Sequence, residues 1–235
     1  MNALARRDAT AKVAAAAVLT VGLLVTLDPV TSLVAIALEL AVAPLAGLSY
    51  PALLRRGWPL LVGALGVVVF SALLSAEPLV PAATSASRYA LRLVAVALPG
   101  VLAFATIDPT DLADSLMAHL RVPARFAIGA LAAFRLVPLL TSEWRQLVLA
   151  RRARGVDAGW NPVARLRLFA SAMFALLVGA IRRGIRLATA MEARGFDSGA
   201  PRTTARPAHF GVADALVIAG GAMVAALALA AGYWA

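Results

Sequence analysis

Five stretches of this chain are too apolar and too long to sit comfortably anywhere but in a membrane. Residues 13–27, 30–48, 58–75, 88–107 and 212–234 are dominated by Ala, Val, Leu, Ile and Gly. Each is as long, or nearly as long, as the roughly 20 residues that carry a helix across about 30 Å of hydrocarbon. Hydrophobic side chains make up 62% of the chain and charged ones 14%, with a mean hydropathy of +0.85. A soluble domain is about half apolar or less. The sequence therefore predicts an all-α polytopic membrane protein with about five spans. Residues 13–27 follow a basic start (Arg6, Arg7, Lys12) and could imitate a signal peptide. No small-x-small cleavage signal precedes Asp28-Pro29, so an uncleaved first span is the expectation.

Charge orients these spans. With the N-terminus in the cytoplasm, Asp28-Pro29 and the loop from Glu77 to Ser87 fall outside, while Arg55-Arg56 and residues 108–210 fall inside. Arg6, Arg7, Lys12, Arg55, Arg56 and fifteen arginines between Arg121 and Arg206 then lie inside, and only Arg88 and Arg92 outside. That is the asymmetry by which Lys and Arg mark the cytoplasmic side. The net charge of +10 thus records topology and does not call for nucleic acid. The expected location is the cell membrane, with several passes and a cytoplasmic N-terminus.

Absent residues exclude whole classes of chemistry. With no Cys, thiol catalysis, disulfides and thiolate metal sites fall away. His119 and His209 stand ninety positions apart, a poor basis for a metal site, and no cofactor is expected. Lys12 is the only lysine, and it sits in Ala11-Lys12-Val13. A nucleotide-hydrolysing P-loop needs Gly-Lys-Ser/Thr, so any ATP hydrolysis must come from another subunit.

Between the fourth run and the last lie about a hundred residues of different character. Thr110 with Asp111 and Asp114 suggests a helix start, and Leu112, Leu116 and Leu120 form a stripe ending before Val122-Pro123. A longer helix is expected from Ala124 to Arg154, kinked at Pro138, which removes one backbone hydrogen bond. A third follows Asn161-Pro162, with proline in the first turn, and runs to about Arg194. Both long helices read as amphipathic, with a cationic face suited to the interface or to a partner. Segments 126–140 and 168–181 are apolar enough to enter the bilayer, which places the span count between four and six. Residues 197–210 have linker composition. Three regions result: spans in 1–107, a cytoplasmic or interfacial helical region in 108–210, and a C-terminal span in 211–235.

Within that middle region a ten-residue pattern occurs twice. Residues 150–159 read Ala-Arg-Arg-Ala-Arg-Gly-Val-Asp-Ala-Gly, and residues 190–199 read Ala-Met-Glu-Ala-Arg-Gly-Phe-Asp-Ser-Gly, identical at six of ten positions. Gly155 and Gly195 suit the left-handed position just past a helix end. Arg154 and Arg194 then stand where a cation complements the helix dipole. Dipole complementarity asks for some basic residue; it does not ask for Ala before the Arg, or for Asp three and Gly five residues after it, twice. Small Ala153 and Ala193 permit close approach, and a guanidinium can pair with carboxylates or carbonyls. The two Ala-Arg-Gly units are therefore expected to be docking points.

These residues, together with Val122-Pro123-x-Arg125-Phe126, Arg135-x-x-Pro138, Glu143 and Arg182-Arg183, resemble the transmembrane coupling (T) subunit of energy-coupling-factor (ECF) transporters. Asp8 and Lys12 match part of that family's Asp-Pro-x-x-Lys start, with Ala9 in the place of proline. The resemblance implies a non-catalytic importer subunit that holds two ABC ATPases and a small substrate-binding membrane subunit. Uptake of a vitamin such as biotin, or of a transition metal such as cobalt, is implied with it. It further implies that Ala153-Arg154-Gly155 and Ala193-Arg194-Gly195 end the coupling helices that contact the ATPases.

A different polar residue stands inside the second run. Glu39 lies near its middle, where a carboxylate marks a functional site by default. Arg92 could reach toward it from the fourth run. A structural pair, contact with the substrate-binding subunit and contact with substrate all remain open. Two rival functions are weaker. A conventional ABC permease would carry a Glu-Ala-Ala loop with a later glycine and Ile-x-Leu-Pro, and only Glu192-Ala193 is present. A membrane-embedded enzyme would gather acids or histidines in one site, whereas Asp157 and Asp197 each follow a glycine at a helix end.

Overall fold

The computed structural model describes residues 7–26, 28–74, 79–196, 198 and 210–234. Arg6, Glu77, Asp197, Arg202, Arg206, His209 and most of the expected 197–210 linker lie outside the described residues. Eight α-helices follow one another: α1 (Ala9–Leu23), α2 (Pro29–Val42), α3 (Tyr50–Leu74), α4 (Leu79–Thr106), α5 (Pro109–His119), α6 (Ala124–Ala153), α7 (Pro162–Ala193) and α8 (Val212–Trp234). The molecule is an all-α polytopic membrane protein.

Five helices are long and apolar enough to cross a membrane, but they are not the five read from the apolar runs. They are α3, α4, α6, α7 and α8. Helices α1 and α2 have 15 and 14 residues, about 22 and 21 Å at 1.5 Å per residue, short of the roughly 30 Å hydrocarbon layer. Both apolar runs outlast their helices: α1 ends at Leu23, and α2 ends at Val42, after which the chain turns through Pro44 to Gly47 at φ 85°. Helix α4 instead begins earlier than expected, so much of the supposed outer loop up to Ser87 is helical.

The chain forms two units, residues 1–122 with 207–235, and residues 123–206. In the first, α1 packs against α8 and α4, and α2 packs against the same two, so these four helices make a ring. Helix α3 lies on α4, and α5 on α1. Small residues set the spacing. A methyl group at Gly221 would sit 2.8 Å from the carbonyl oxygen of Ala15, and one at Gly22 2.8 Å from Cβ of Ala225. Helices α1 and α8 therefore meet backbone to backbone, the contact that small residues allow in a bilayer. Leu19, Leu23, Ala35, Ala95 and Ala228 fill the ring's middle.

A polar clasp closes the end where α1 and α8 begin. Asp8 caps α1 by accepting from the Thr10 amide at 2.8 Å, a typical N-cap bond. Asp214 accepts from the Gly211 amide at 2.9 Å, the acidic half of a capping box, and its other oxygen accepts from the Asp8 amide at 3.1 Å. His119 Nε2 lies 3.2 Å from Asp8 Oδ2, which fastens α5 to the same point. Burial pushes the Asp8 carboxyl upward, but the Thr10 hydroxyl and amide and the His119 ring together hold it below its usual range. Helix α5 itself is capped by Asp108, which accepts from Thr110, with Pro109 in the first turn. Thr110 is thus inside the helix, two residues past the true cap.

Candidate functional site

The second unit is built from two helices, α6 and α7, and a short connection. Helix α6 runs unbroken through Pro138, and α7 is 32 residues long. Asn161 starts α7 by accepting from the amides of Val163 and Ala164 at 3.0 and 3.2 Å, while Pro162 supplies the preset backbone of a first turn. Arg151 joins the helices, donating to the Leu168 carbonyl at 2.8 Å and to the Ser171 hydroxyl at 2.7 Å. Trp144 meets Phe169 edge to face at 5.4 Å, and Glu143 pairs with Arg183. The order of these contacts makes α6 and α7 a hairpin.

Both Ala-Arg-Gly units end their helices in the same way. Ala153 and Ala193 are the last helical residues. Arg154 and Arg194 follow at φ −90° with ψ 8° and 9°. Gly155 and Gly195 turn left-handed at φ 74° and 75°. Gly155 N donates to Arg152 O at 2.9 Å and Val156 N to Arg151 O at 3.0 Å; Gly195 N donates to Glu192 O at 2.9 Å and Phe196 N to Met191 O at 3.0 Å. This paired closure is the Schellman motif. It satisfies carbonyls that would otherwise face outward, and glycine alone holds the required backbone without steric cost.

The consequence is a matched presentation of charge. Ala153, Arg154, Gly155, Ala193, Arg194 and Gly195 are all exposed. Among the described residues, neither the Arg154 nor the Arg194 guanidinium has an acceptor. Most other arginines of the hairpin that have partners spend them internally: Arg151 as above, Arg183 on Glu143, and Arg165 on the Gly159 carbonyl at 3.0 Å. Because α6 ends beside the start of α7, the two units stand at opposite ends of α7, about 48 Å apart by helical rise.

Some neighbours of the first unit were not marked by the repeat. Trp160 is 95% exposed and borders a cleft of about 570 Å³ lined also by Trp144, Arg152, Asp157 and Phe169. Its signal in the sequence is a tryptophan beside the Asn-Pro of a helix start, a place with no core to fill. Asp157 accepts from the Ala158 amide at 2.7 Å, so it shapes the connection.

Glu39 and Arg92 are not brought together. Arg92 donates to the Leu24 carbonyl at 2.7 Å. Glu39 is 2% exposed, and both of its carboxylate oxygens lack a hydrogen-bond partner among the described residues. No group of three or more His, Asp or Glu that could hold a metal occurs among the described residues.

Comparison with known proteins places these features. A family model described as "CbiQ: Cobalt transport protein" matches residues 1–205. The energy-coupling factor transporter transmembrane protein EcfT of Bacillus selenitireducens is 32% identical over 138 residues, 55% of this chain and 52% of that protein. The EcfT of Leuconostoc gelidum subsp. gasicomitatum is 33% identical over 135 residues, 54% of this chain and 50% of its own. That of Limosilactobacillus fermentum is 33% identical over 136 residues, 54% and 51%. The chain spans about half the length of the curated relatives it matches.

Proposed function

The chain belongs to the CbiQ family of cobalt transport proteins, and we propose that it is the coupling (T) subunit of an ECF importer. In this reading it transmits the movement of two ABC ATPases to a small substrate-binding membrane subunit. The cargo class is a vitamin or a transition metal. The chain itself is a transport component and performs no hydrolysis; ATP is consumed by the partner subunits.

One observation carries this reading: two exposed arginines, each without an acceptor among the described residues, are held by the same closed helix terminus at opposite ends of one long helix. A single basic helix end needs only the dipole to explain it. Two matched ends about 48 Å apart suit two copies of a partner placed side by side. Each guanidinium offers a planar fork for a carboxylate or a row of carbonyls, a geometry that lysine cannot reproduce. The fifteen arginines between Arg121 and Arg206 favour a cytoplasmic hairpin by the positive-inside rule; in this reading α7, although long and apolar enough to cross a membrane, lies along its surface, so that both Ala-Arg-Gly ends face the side where ATP is available. Movement of either ATPase is then passed along α6 and α7, whose exposed apolar side chains such as Phe134, Phe174 and Leu177 offer a surface to the substrate-binding subunit.

The test is co-purification from membranes through a tag on this chain. Removing one partner of a buried charged contact costs about 2–5 kcal/mol. Arg154→Ala or Arg194→Ala should therefore weaken ATPase retention by roughly thirtyfold or more. The double variant should bring down no ATPase and support no uptake, while retaining its membrane helicity. A double variant that still co-purifies with its ATPases and drives uptake removes the assignment.

A further inference from the structure

The connection between α6 and α7 carries a basic cleft that the two matched helix ends do not account for. Arg151, Arg152 and Arg165 line it with a single acid, Asp157, so the lining is net positive. Asp157 is already engaged, accepting from the Ala158 amide. The second Ala-Arg-Gly end is charged differently: Met191-Glu192 stand where the first has Arg151-Arg152. Arg154 is not part of the lining, so the cleft is separate from the guanidinium proposed to meet an ATPase.

Two of the three arginines are held in place and still have donors to offer. Arg151 makes both of its bonds through Nη1, to the Leu168 carbonyl and the Ser171 hydroxyl. Arg165 uses Nε on the Gly159 carbonyl, and Arg152 has no acceptor among the described residues. An anion entering here meets guanidinium groups that are already ordered, which lowers the entropy cost of holding it. It would accept charge-assisted hydrogen bonds, the strong kind. The rest of the lining is largely apolar, with Val148, Leu168 and Phe169 in it. Trp160 borders the cleft and is exposed, as are Val163 and Leu166 at the start of α7.

A small inorganic anion would use the arginines and leave the apolar lining unexplained; a hydrocarbon would do the reverse. Helices α6 and α7 are both apolar enough to cross a bilayer, and irregular backbone exposed to lipid is kept out of the hydrocarbon. The connection therefore lies at headgroup level whether the hairpin crosses the membrane or lies along it. Tryptophan favours that level. We propose that this cleft holds the headgroup of an anionic membrane phospholipid, with its phosphate on Arg152 and Arg165 and the upper part of an acyl chain against Val148, Leu168 and Phe169. Basic pockets between membrane helices bind such headgroups. A headgroup that carries its own ammonium ion is disfavoured by the net positive lining.

The test uses the full chain carrying Trp58→Phe and Trp234→Phe, which leaves only Trp144 and Trp160, both in the cleft. In phosphatidylcholine vesicles, tryptophan quenching by a minor fraction of dibrominated phosphatidylglycerol is compared with quenching by the same fraction of dibrominated phosphatidylcholine. The expected result is a preference for phosphatidylglycerol of roughly tenfold, the worth of a hydrogen bond to a charged group. Arg152→Gln with Arg165→Gln should remove the preference with helicity unchanged. Arg182→Gln with Arg186→Gln, an equal loss of charge elsewhere on α7, should leave it intact. If the cleft variant fails to fold, Arg152→Glu alone changes a residue with no acceptor to lose among the described residues, and it should lower the preference severalfold. Glycerol 3-phosphate in the aqueous phase should not displace the lipid. The inference is overturned if the two lipids quench equally, if a folded cleft variant keeps the preference, or if the control pair removes it. It is equally overturned if glycerol 3-phosphate displaces the lipid, which would make the ligand a free phosphate ester. Loss of ATPase co-purification in detergent by the cleft variant, with Arg154 intact, would give the cleft to the partner protein and overturn the inference as well.

Discussion

The two units of this protein place their apolar surface in opposite ways. In the ring of α1, α2, α4 and α8, glycines and alanines bring backbones into direct contact, and Leu19 and Leu23 with three alanines fill the middle. In the α6–α7 hairpin, Ala127 and Ala172 are the only residues buried, and the helices meet through Trp144–Phe169, Glu143–Arg183 and the Arg151 bonds. The ring buries much of its apolar surface against itself. The hairpin leaves large residues such as Phe134, Phe174 and Ile181 exposed, so its stability depends on what surrounds it. An element that must relay motion is better served by few internal contacts than by a locked core, since weakly held segments are the ones that move.

Gly221→Leu would break the comparison most severely. A side chain there meets the Ala15 backbone, which cannot retreat as a flexible side chain can. Overpacking of this kind costs about 3 kcal/mol or more, seen as a lowered melting temperature and as loss of amide protection across α1 and α8. Protection in α6 and α7 should be unchanged; if it falls together with that of the ring, the two units do not respond separately.

Gly155→Ala and Gly195→Ala probe the hairpin's own symmetry. Each forces a Cβ into the left-handed region at a cost of about 1 kcal/mol. Hydrogen exchange should quicken by roughly fivefold in the last turn of α6 or of α7, and by a similar factor at both. A large effect at one end with none at the other would show that the matched geometry hides unequal roles.

The smallest effect concerns the clasp. Asp8 is held below its usual range in the folded protein, so it binds a proton more readily when unfolded. Its contribution is present above the unfolded value near 4 and is lost as pH falls through the lower folded value. Melting temperature followed downward from pH 6 should therefore drop more steeply in the parent than in Asp8→Asn. Parallel curves would mean that the Asp8 contacts add nothing measurable.

What could be read from the residues was largely local. The ends of α6 and α7 fell within one residue of where Arg-Gly placed them, because a Schellman closure needs only the last turn and one glycine. The start of α7 was equally legible from Asn161-Pro162. The spans were read less well. Hydropathy registers how apolar a segment is, and it cannot register that α1 ends at Leu23 and α2 at Val42, short of a full crossing. Trp160 carries little signal in the sequence, because it lies outside the ten-residue repeat. For Asp8 and Asp214, the hint was an acid three residues after Gly211, and their meeting joins positions 206 residues apart.

The sequence by itself determined that these residues belong in a membrane, that they contain no P-loop motif, and that two helices end with the same Ala-Arg-Gly. Those properties follow from composition, from a missing motif and from hydrogen bonds between near neighbours. Only the tertiary structure decided that Arg92 turns to Leu24 instead of Glu39, that α1 and α2 face each other across a ring, and that the Glu39 carboxyl is buried without a hydrogen-bond partner among the described residues. Such outcomes depend on which distant helices pack together, and small residues permit that packing without announcing the partner.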